Sequence, residues 1–160
     1  MIVLFRIDYR LLHYQTSSVW PNKVGANEIL IADDEVVTDQ MQLGLIKMMA
    51  PSGLKTKVCS IEKAVKYLNS EDSKNKRIQI LVPTAMDAYR ICKEVPEAKN
   101  VCAGLMKGTK EKVMVSKTLA FASEDFDAFE KMVALGVDVE SYAVPEDTPI
   151  PITKYLSMKN

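Results

Sequence analysis

Short, almost continuous apolar runs alternate along this chain with longer segments in which apolar residues recur every three or four positions. A continuous run such as residues 2–7 is typical of a strand buried on both faces. The alternation predicts an α/β fold with an open, mostly parallel central sheet of about six or seven strands and helices on both faces. The predicted strands are 2–7, 28–32, 55–59, 78–82, 100–103 and 138–144, with one or two more at an edge within 113–121.

Helical spacing and stop signals define the intervening segments. The predicted helices are 39–50, 61–68, 84–95 and 123–135, the last with Ser123 as its cap and Gly136 at its end. Residues 70–76 are predicted to form a loop, and the tail, 145–160, to wrap the surface. Most of the nine methionines lie at helical spacing, which predicts packing roles, and Trp20 is expected to be a core or groove anchor.

Length and composition narrow the class of protein. The 160 residues fit a single domain, 1–160, with 48% hydrophobic residues for its core. With a net charge of zero, the chain lacks the excess of positive charge that is typical of nucleic-acid-binding proteins. No apolar stretch approaches the length of a membrane span, and the start does not resemble a signal peptide. Three cysteines without a CxxC pair suit a reducing compartment, so we expect a cytoplasmic protein.

Ligands of open parallel sheets bind beyond the carboxyl ends of the strands. This rule selects the loops 8–16, 33–35, 83–86 and 103–110 as candidates. The acidic run Asp33, Asp34, Glu35 is interpreted as turn residues and a helix cap, and not as a metal site. Residues 104–109 hint at a phosphate loop but lack the GxxxxGK[ST] pattern, so a turn is the preferred interpretation.

The first of these loops contains the only histidine, His13, with Asp8 and Arg10 before it and Gln15 after it. A neutral imidazole is a good nucleophile, since its pKa is about 6.5. An arginine fork neutralises a phosphoryl group bidentately, and a carboxylate such as Asp8 fixes the ring tautomer or orients the arginine. The residues alone leave two interpretations open: a phosphoryl carrier, or a histidine with an ordinary surface or core role.

The segment Arg6-Ile7-Asp8-Tyr9-Arg10-Leu11-Leu12-His13-Tyr14-Gln15 resembles the opening motif, R-I-D-x-R-L-[IL]-H-G-Q, of a known family. That family is the IIB component of the mannose/fructose/sorbose branch of the phosphoenolpyruvate-dependent sugar phosphotransferase system. The similarity continues in order over nearly the whole chain, through Trp20, residues 25–27, 33–36 (D-D-E-V), 47–53, 100–104, 116–117, 136–137 and 144–145.

The resemblance implies a phosphotransferase whose His13 accepts a phosphoryl group from a phosphohistidine of the IIA component. It then passes this group to a sugar moving through the membrane components IIC and IID, so the protein would be recruited peripherally to the cytoplasmic membrane. Arg10 would clamp the phosphate, Asp8 and Gln15 would order the loop, and Thr84 is a further candidate phosphate contact. No metal or other cofactor is expected.

The chain departs from the family pattern at Tyr9, at Tyr14 in place of glycine, at Pro21 within the first helix, and at residues 102–103. A non-catalytic regulatory or docking module of the same fold is therefore the alternative function. A phospho-aspartate receiver is less suitable, since the third predicted strand ends in Cys59-Ser60, without an acceptor aspartate.

Overall fold

A seven-stranded sheet forms the centre of the computed structural model, which describes residues 1–159. The strand order is β3-β2-β4-β1-β5-β8-β9, and every pair is parallel except β8 with β9. This confirms the predicted α/β class and the mostly parallel sheet. The strands of the sheet are β1 (Ile2–Asp8), β2 (Glu28–Ala32), β3 (Lys55–Cys59), β4 (Ile78–Val82), β5 (Asn100–Leu105), β8 (Asp138–Ser141) and β9 (Ile150–Pro151).

Helices cover both faces of the sheet because successive side chains of its strands point to opposite sides. On β2, Leu30 and Ala32 pack with α3 (Ile61–Leu68), α5 (Ala85–Glu94) and α6 (Ser123–Ala134), whereas Ile29 and Ile31 pack with α2 (Gln40–Met49). Among residues 1–159, no helix combines the length and apolar character needed to cross a bilayer. The helices are α1 (Trp20–Val24), α2 (Gln40–Met49), α3 (Ile61–Leu68), α4 (Glu71–Lys74), α5 (Ala85–Glu94), α6 (Ser123–Ala134) and α7 (Thr153–Leu156).

Local signals account for several of these boundaries. The side chains of Asp39, Ser60 and Thr84 accept backbone hydrogen bonds at the starts of α2, α3 and α5. Gly136 follows α6 with φ +77°, a conformation that glycine adopts without steric cost. The cap of α6 is Ala122 and not Ser123, and Asp125 accepts the Ala122 N–H.

Two segments differ from the prediction. Residues 70–76 contain the single helical turn α4, stabilised by the buried Ser73 hydroxyl, which donates to the Leu68 and Ser70 carbonyls. Residues 113–121 form β6 (Val113–Met114) and β7 (Ala120–Phe121), an antiparallel pair separate from the main sheet. β8 ends at Ser141, earlier than predicted, and the tail returns beside it as β9.

The predicted packing of the methionines is wrong for α2. Met41 and Met48 are 78% and 84% exposed, and Leu45 and Met49 also face solvent. The helix instead packs through Ile46, with Leu43 and Ala50 partly buried on the same face. This core cluster includes Leu11 and Leu12, so α2 supports the loop that contains His13.

Candidate functional site

The candidate site begins where β1 ends, in the middle of the sheet between β4 and β5. Asp8 is the last residue of the strand and is fully buried. The next residue, Tyr9, still donates its N–H to the Leu105 carbonyl at the end of β5. The chain then leaves the sheet, so the His13 loop lies at the carboxyl edge, where ligands of such sheets bind.

A tight turn reverses the chain directly after Asp8. Leu11 donates its N–H to the Asp8 carbonyl at 3.0 Å. Leu11 has φ +55°, and it is the only non-glycine residue with positive φ within residues 1–159. A leucine adopts this left-handed conformation at a cost of about 1–2 kcal/mol. Its buried side chain and that of Leu12 hold the turn against the core below α2.

The Asp8 carboxylate is the centre of the site. Its Oδ1 accepts the Arg10 backbone N–H at 3.1 Å, and its Oδ2 accepts from His13 Nε2 at 2.9 Å and Arg6 Nε at 3.3 Å. Burial alone would raise the pKa of Asp8. The His13 hydrogen bond and the Arg6 charge outweigh burial, so the pKa lies below its usual value. Asp8 is therefore an ionised acceptor at neutral pH.

An ionised acceptor determines which nitrogen of His13 carries the proton. Because Asp8 has no proton to donate, the neutral His13 ring must hold its proton on Nε2 and donate it to Oδ2. Nδ1 is then left with a lone pair. Within residues 1–159 no protein group forms a hydrogen bond with Nδ1, and the side chain is 16% exposed. The arrangement presents a nucleophilic nitrogen at a half-buried position.

Thr16 fixes the backbone on both sides of His13. Its hydroxyl donates to the Leu11 carbonyl at 2.6 Å and accepts the His13 N–H at 3.0 Å. The Thr16 carbonyl in turn accepts from the buried Gln79 side chain of β4 at 2.7 Å. Sequence analysis did not identify Gln79 as a support of this loop. The detectable signal was Gln79 itself, a polar residue within the apolar strand I-Q-I-L-V, which needs a buried partner.

The helix that follows the loop starts with a widened turn. Gln15–Val19 is a π-helix, in which Trp20 donates its N–H to the Gln15 carbonyl, and α1 continues from it. Pro21 lies in the first turn of α1, where the missing N–H is tolerated. Tyr14 has ordinary helical angles and is 72% exposed. The tyrosine therefore needs no left-handed conformation, which Leu11 adopts instead.

The remaining predicted site residues lie at different distances from His13. The Arg10 side chain is 42% exposed, and its Nε is 3.5 Å from Asp8 Oδ1, so its guanidinium lies beside Asp8 and reaches solvent. Gln15 lies two residues after His13, and its buried Oε1 has no hydrogen-bond partner within residues 1–159. Thr84 caps α5, where its hydroxyl accepts from the Asp87 backbone and donates to the Asp87 carboxylate. No hydrogen bond joins Thr84 to the His13 loop in the described chain, and its phosphate contact stays a prediction.

Arg6 is a site residue that sequence analysis missed. It is 1% exposed and contacts the same Asp8 oxygen as His13. The signal was a charged residue inside a strand that is otherwise apolar, two positions before an aspartate. Residues two apart on a strand share a face, so the pair could have been expected to meet.

The aspartate carboxylates in the acidic run after β2 form hydrogen bonds and an ion pair within the protein. Asp33 accepts the Glu35 N–H, and Asp34 accepts the Ile61 N–H at the start of α3 and pairs with Arg90. These are the turn and cap roles that the sequence predicted. Within the described part of the chain, no group of three or more His, Cys, Asp or Glu side chains is arranged to hold a metal ion.

Comparison with known proteins gives a consistent result. The family model described as "PTS system sorbose subfamily IIB component", where PTS is the phosphotransferase system, matches residues 2–160. A probable phosphotransferase enzyme IIB component of Streptococcus pyogenes serotype M6 is 32% identical, over 98% of this chain and 100% of the relative. The mannose-specific EIIAB component of Escherichia coli K12 is 26% identical, over 98% of this chain and 49% of the relative.

The fold agrees with these sequence matches. The crystal structure of the IIBSor domain of the sorbose permease from Klebsiella pneumoniae superimposes with a TM-score of 0.93. The two chains are 27% identical, and the match covers 100% of this chain and 98% of the other.

Proposed function

Because the chain belongs to the sorbose subfamily of phosphotransferase-system IIB components, which are phosphoryl carriers in sugar uptake, we propose that His13 is the carrier residue. The observation that supports this most directly is the 2.9 Å bond from His13 Nε2 to buried Asp8. It leaves Nδ1 as the free nucleophile at the carboxyl edge of the sheet. The opening motif, with its single histidine, points to the same residue.

The proposed step is an attack of Nδ1 on the phosphorus of a donor phosphohistidine. A bond forms between Nδ1 and phosphorus while the donor's N–P bond breaks. The His13 ring then carries the phosphoryl group on Nδ1 and the proton on Nε2, so it becomes positively charged. Asp8 stabilises that charge, in the role that a buried aspartate has beside a catalytic histidine. In the onward transfer an O–P bond forms to a sugar hydroxyl, which loses its proton to solvent, while the N–P bond breaks and the ring returns to neutrality.

Positioning and charge stabilisation dominate phosphoryl transfer. Arg10 is the residue best suited to the phosphoryl oxygens, because its guanidinium is partly exposed while its backbone and Nε are tied to Asp8. An arginine fork binds phosphoryl oxygens bidentately. Asp8 thus orients both the His13 ring and Arg10, the residue that would bind the phosphoryl group. Gln15 would help to order the same loop.

The proposed partners follow from the family. A IIB component works between a IIA phosphocarrier and the membrane permease, and in the mannose-specific relative IIA and IIB share one chain, EIIAB. We propose that residues 1–160 act as one IIB domain that takes the phosphoryl group from IIA. It would deliver this group to a sugar at the IIC/IID components, recruited to the cytoplasmic face of the membrane.

Phosphorylation with a defined donor tests the proposal. The protein is incubated with phosphoenolpyruvate, the general phosphotransferase proteins and a cognate IIA, and ³¹P and ¹⁵N NMR identify the modified atom. We expect an acid-labile phosphoryl group on Nδ1 of His13 and none in His13→Ala. Met48→Ala, an exposed change on α2, is the matched control and should be phosphorylated as the wild type is. A His13→Ala protein that accepts the group equally well would refute the assignment.

The same experiment separates the alternative, a docking module without transfer. Such a module would bind IIA yet acquire no phosphoryl group on any residue. Onward transfer is measured as sugar phosphorylation in membranes that contain the permease. Loss of that activity in His13→Ala supports the carrier.

A further inference from the structure

The Arg6 side chain is held on every side by the protein. Besides Asp8, its guanidinium donates to the carbonyls of Tyr142 and Ala143, at 3.2 and 3.0 Å, and to the Cys102 sulfur at 3.4 Å. The Trp20 ring lies against it, 5.4 Å from Cζ to the ring centroid. With 1% exposure and these contacts, Arg6 cannot reach a phosphoryl group at the surface.

Gly104 provides the space for this guanidinium. A Cβ at position 104 would overlap Arg6 Cζ and would lie 2.5 Å from both Nη1 and Nη2. Gly104 does not have positive φ, so the backbone conformation does not require glycine there. The three atoms nearest to such a Cβ all belong to Arg6, so the absence of a side chain at position 104 makes room for its guanidinium.

We propose that Arg6 is a positioning residue for phosphoryl transfer, which holds the Asp8 carboxylate against the His13 ring in a slot that only glycine at position 104 leaves open. Arg6 is thus distinct from Arg10, which is exposed and suited to the phosphoryl oxygens. The inference builds on His13 as the proposed carrier.

The charges around the ring explain why this position needs a buried cation. A buried carboxylate without a counter-charge would draw a second proton onto the imidazole, and a doubly protonated ring has no free electron pair. Arg6 supplies that counter-charge to Asp8, at 3.3 Å from Oδ2. The other groups on this side are Arg10, whose charge adds to that of Arg6, and the neutral Cys102 and Tyr142. Burial raises the pKa of the Cys102 thiol to about 11 and also raises the pKa of Tyr142.

Gly104→Ala displaces the guanidinium without removing any polar group of the site. In the unphosphorylated variant, we expect the ¹⁵N spectrum of the His13 ring to show a mixture of forms instead of the single tautomer with its proton on Nε2. We also expect acceptance from phosphorylated IIA to slow by about 100-fold, the effect of a misplacement near 1 Å. Gly44→Ala is the matched control, because a Cβ at that exposed position meets nothing within 4 Å.

A double-mutant cycle separates positioning from general damage to the fold. In an Arg6→Met background, Gly104→Ala should slow transfer little further, because the group that it displaces is gone. Arg6→Lys should recover part of the rate lost in Arg6→Met, since a cation returns without the fork. Independent, additive losses would overturn the proposal, and so would an unchanged ring spectrum in folded Gly104→Ala. If the wild type accepts no phosphoryl group at all, the carrier function fails, while the ring spectrum still tests Arg6.

Discussion

Two arginines four positions apart contact the same aspartate, and their exposure differs because the strand ends between them. Arg6 lies within β1 and is covered by β5 and the segment after β8, whereas Arg10 follows the turn and is 42% exposed. Asp8 receives both, one on each carboxylate oxygen. Burial thus separates two chemically identical side chains into a fixed counter-charge and a group that can meet a ligand.

Asp8 makes the stability of the protein depend on pH in a defined direction. Its pKa lies below the ordinary value of 3.8, because the His13 hydrogen bond and the Arg6 charge outweigh the opposing effect of burial. The unfolded chain therefore binds a proton first as the pH falls. The stabilisation that the ionised carboxylate contributes is complete above the ordinary pKa and is lost as the pH falls through the folded one.

Asp8→Asn removes this titration. We expect the free energy of unfolding of the wild type to fall more steeply than that of Asp8→Asn between pH values of about 5 and 2. The variant should be less stable at pH 7, because Arg6 keeps a buried charge without its partner. Urea unfolding at a series of pH values measures both quantities, and parallel curves would contradict the assignment of Asp8 as an ionised centre.

The sequence pattern predicted where the His13 loop lies, but not the hydrogen bonds and the turn that hold it in place. The motif and the carboxyl-edge rule selected Asp8, Arg10 and His13 as candidates, and the structure places them together at the end of β1. Thr16, which bonds to the backbone at positions 11 and 13, depends on the turn that Leu11 makes with φ +55°. Sequence propensity does not favour that conformation for a leucine, so the geometry became visible only in the fold.

At the scale of elements, α2 shows why periodicity alone does not identify the buried face. Its sequence, QMQLGLIKMM, has two apolar sets at helical spacing. The set with Met41, Leu45 and Met48 was expected inside, but the sheet and the His13 loop are covered by the set with Leu43 and Ile46. Both sets satisfy the helical repeat, and only the docking of the helix on β2 and β3 selects one.

Matched alanine substitutions on α2 distinguish the two faces. Ile46→Ala should lower the free energy of unfolding by about 2–5 kcal/mol, since it empties a buried site. Met48→Ala should change it by less than about 0.5 kcal/mol, because that side chain is exposed. Denaturant unfolding with equal m-values provides the comparison. A loss at Met48 as large as that at Ile46 would show that the exposed stripe is covered in solution.

The architecture of the whole molecule places the His13 loop at the end of the middle strand of the sheet. β1 has the parallel neighbours β4 and β5, and β3 and β9 lie at the two edges. The sequence predicted every strand of this sheet except β9, and their parallel arrangement, because doubly buried runs and helical crossovers have local signatures. The strand order and the separate β6–β7 pair depend on contacts between distant residues, which local patterns do not encode.

Amide hydrogen exchange should follow this arrangement. We expect the slowest exchange in β1, β2 and β4, which have strands on both sides and apolar side chains on both faces. The two-stranded β6–β7 pair and the edge strand β9 should exchange faster. Mass spectrometry of peptic fragments resolves these segments. Equal protection of β1 and the β6–β7 pair would contradict the central position of β1.

The neighbours of β1 also determine when the site can exist during synthesis. The strand that ends in Asp8 is translated before both of its neighbours, and residues 78–82 and 100–105 must leave the ribosome before it is enclosed on both sides. Until then its apolar face and the Arg6–Asp8 pair remain uncovered, a state in which nascent chains depend on chaperones. A strand that is translated before both of its neighbours is therefore enclosed late, and slower translation of residues 83–105 would prolong the interval in which it is exposed.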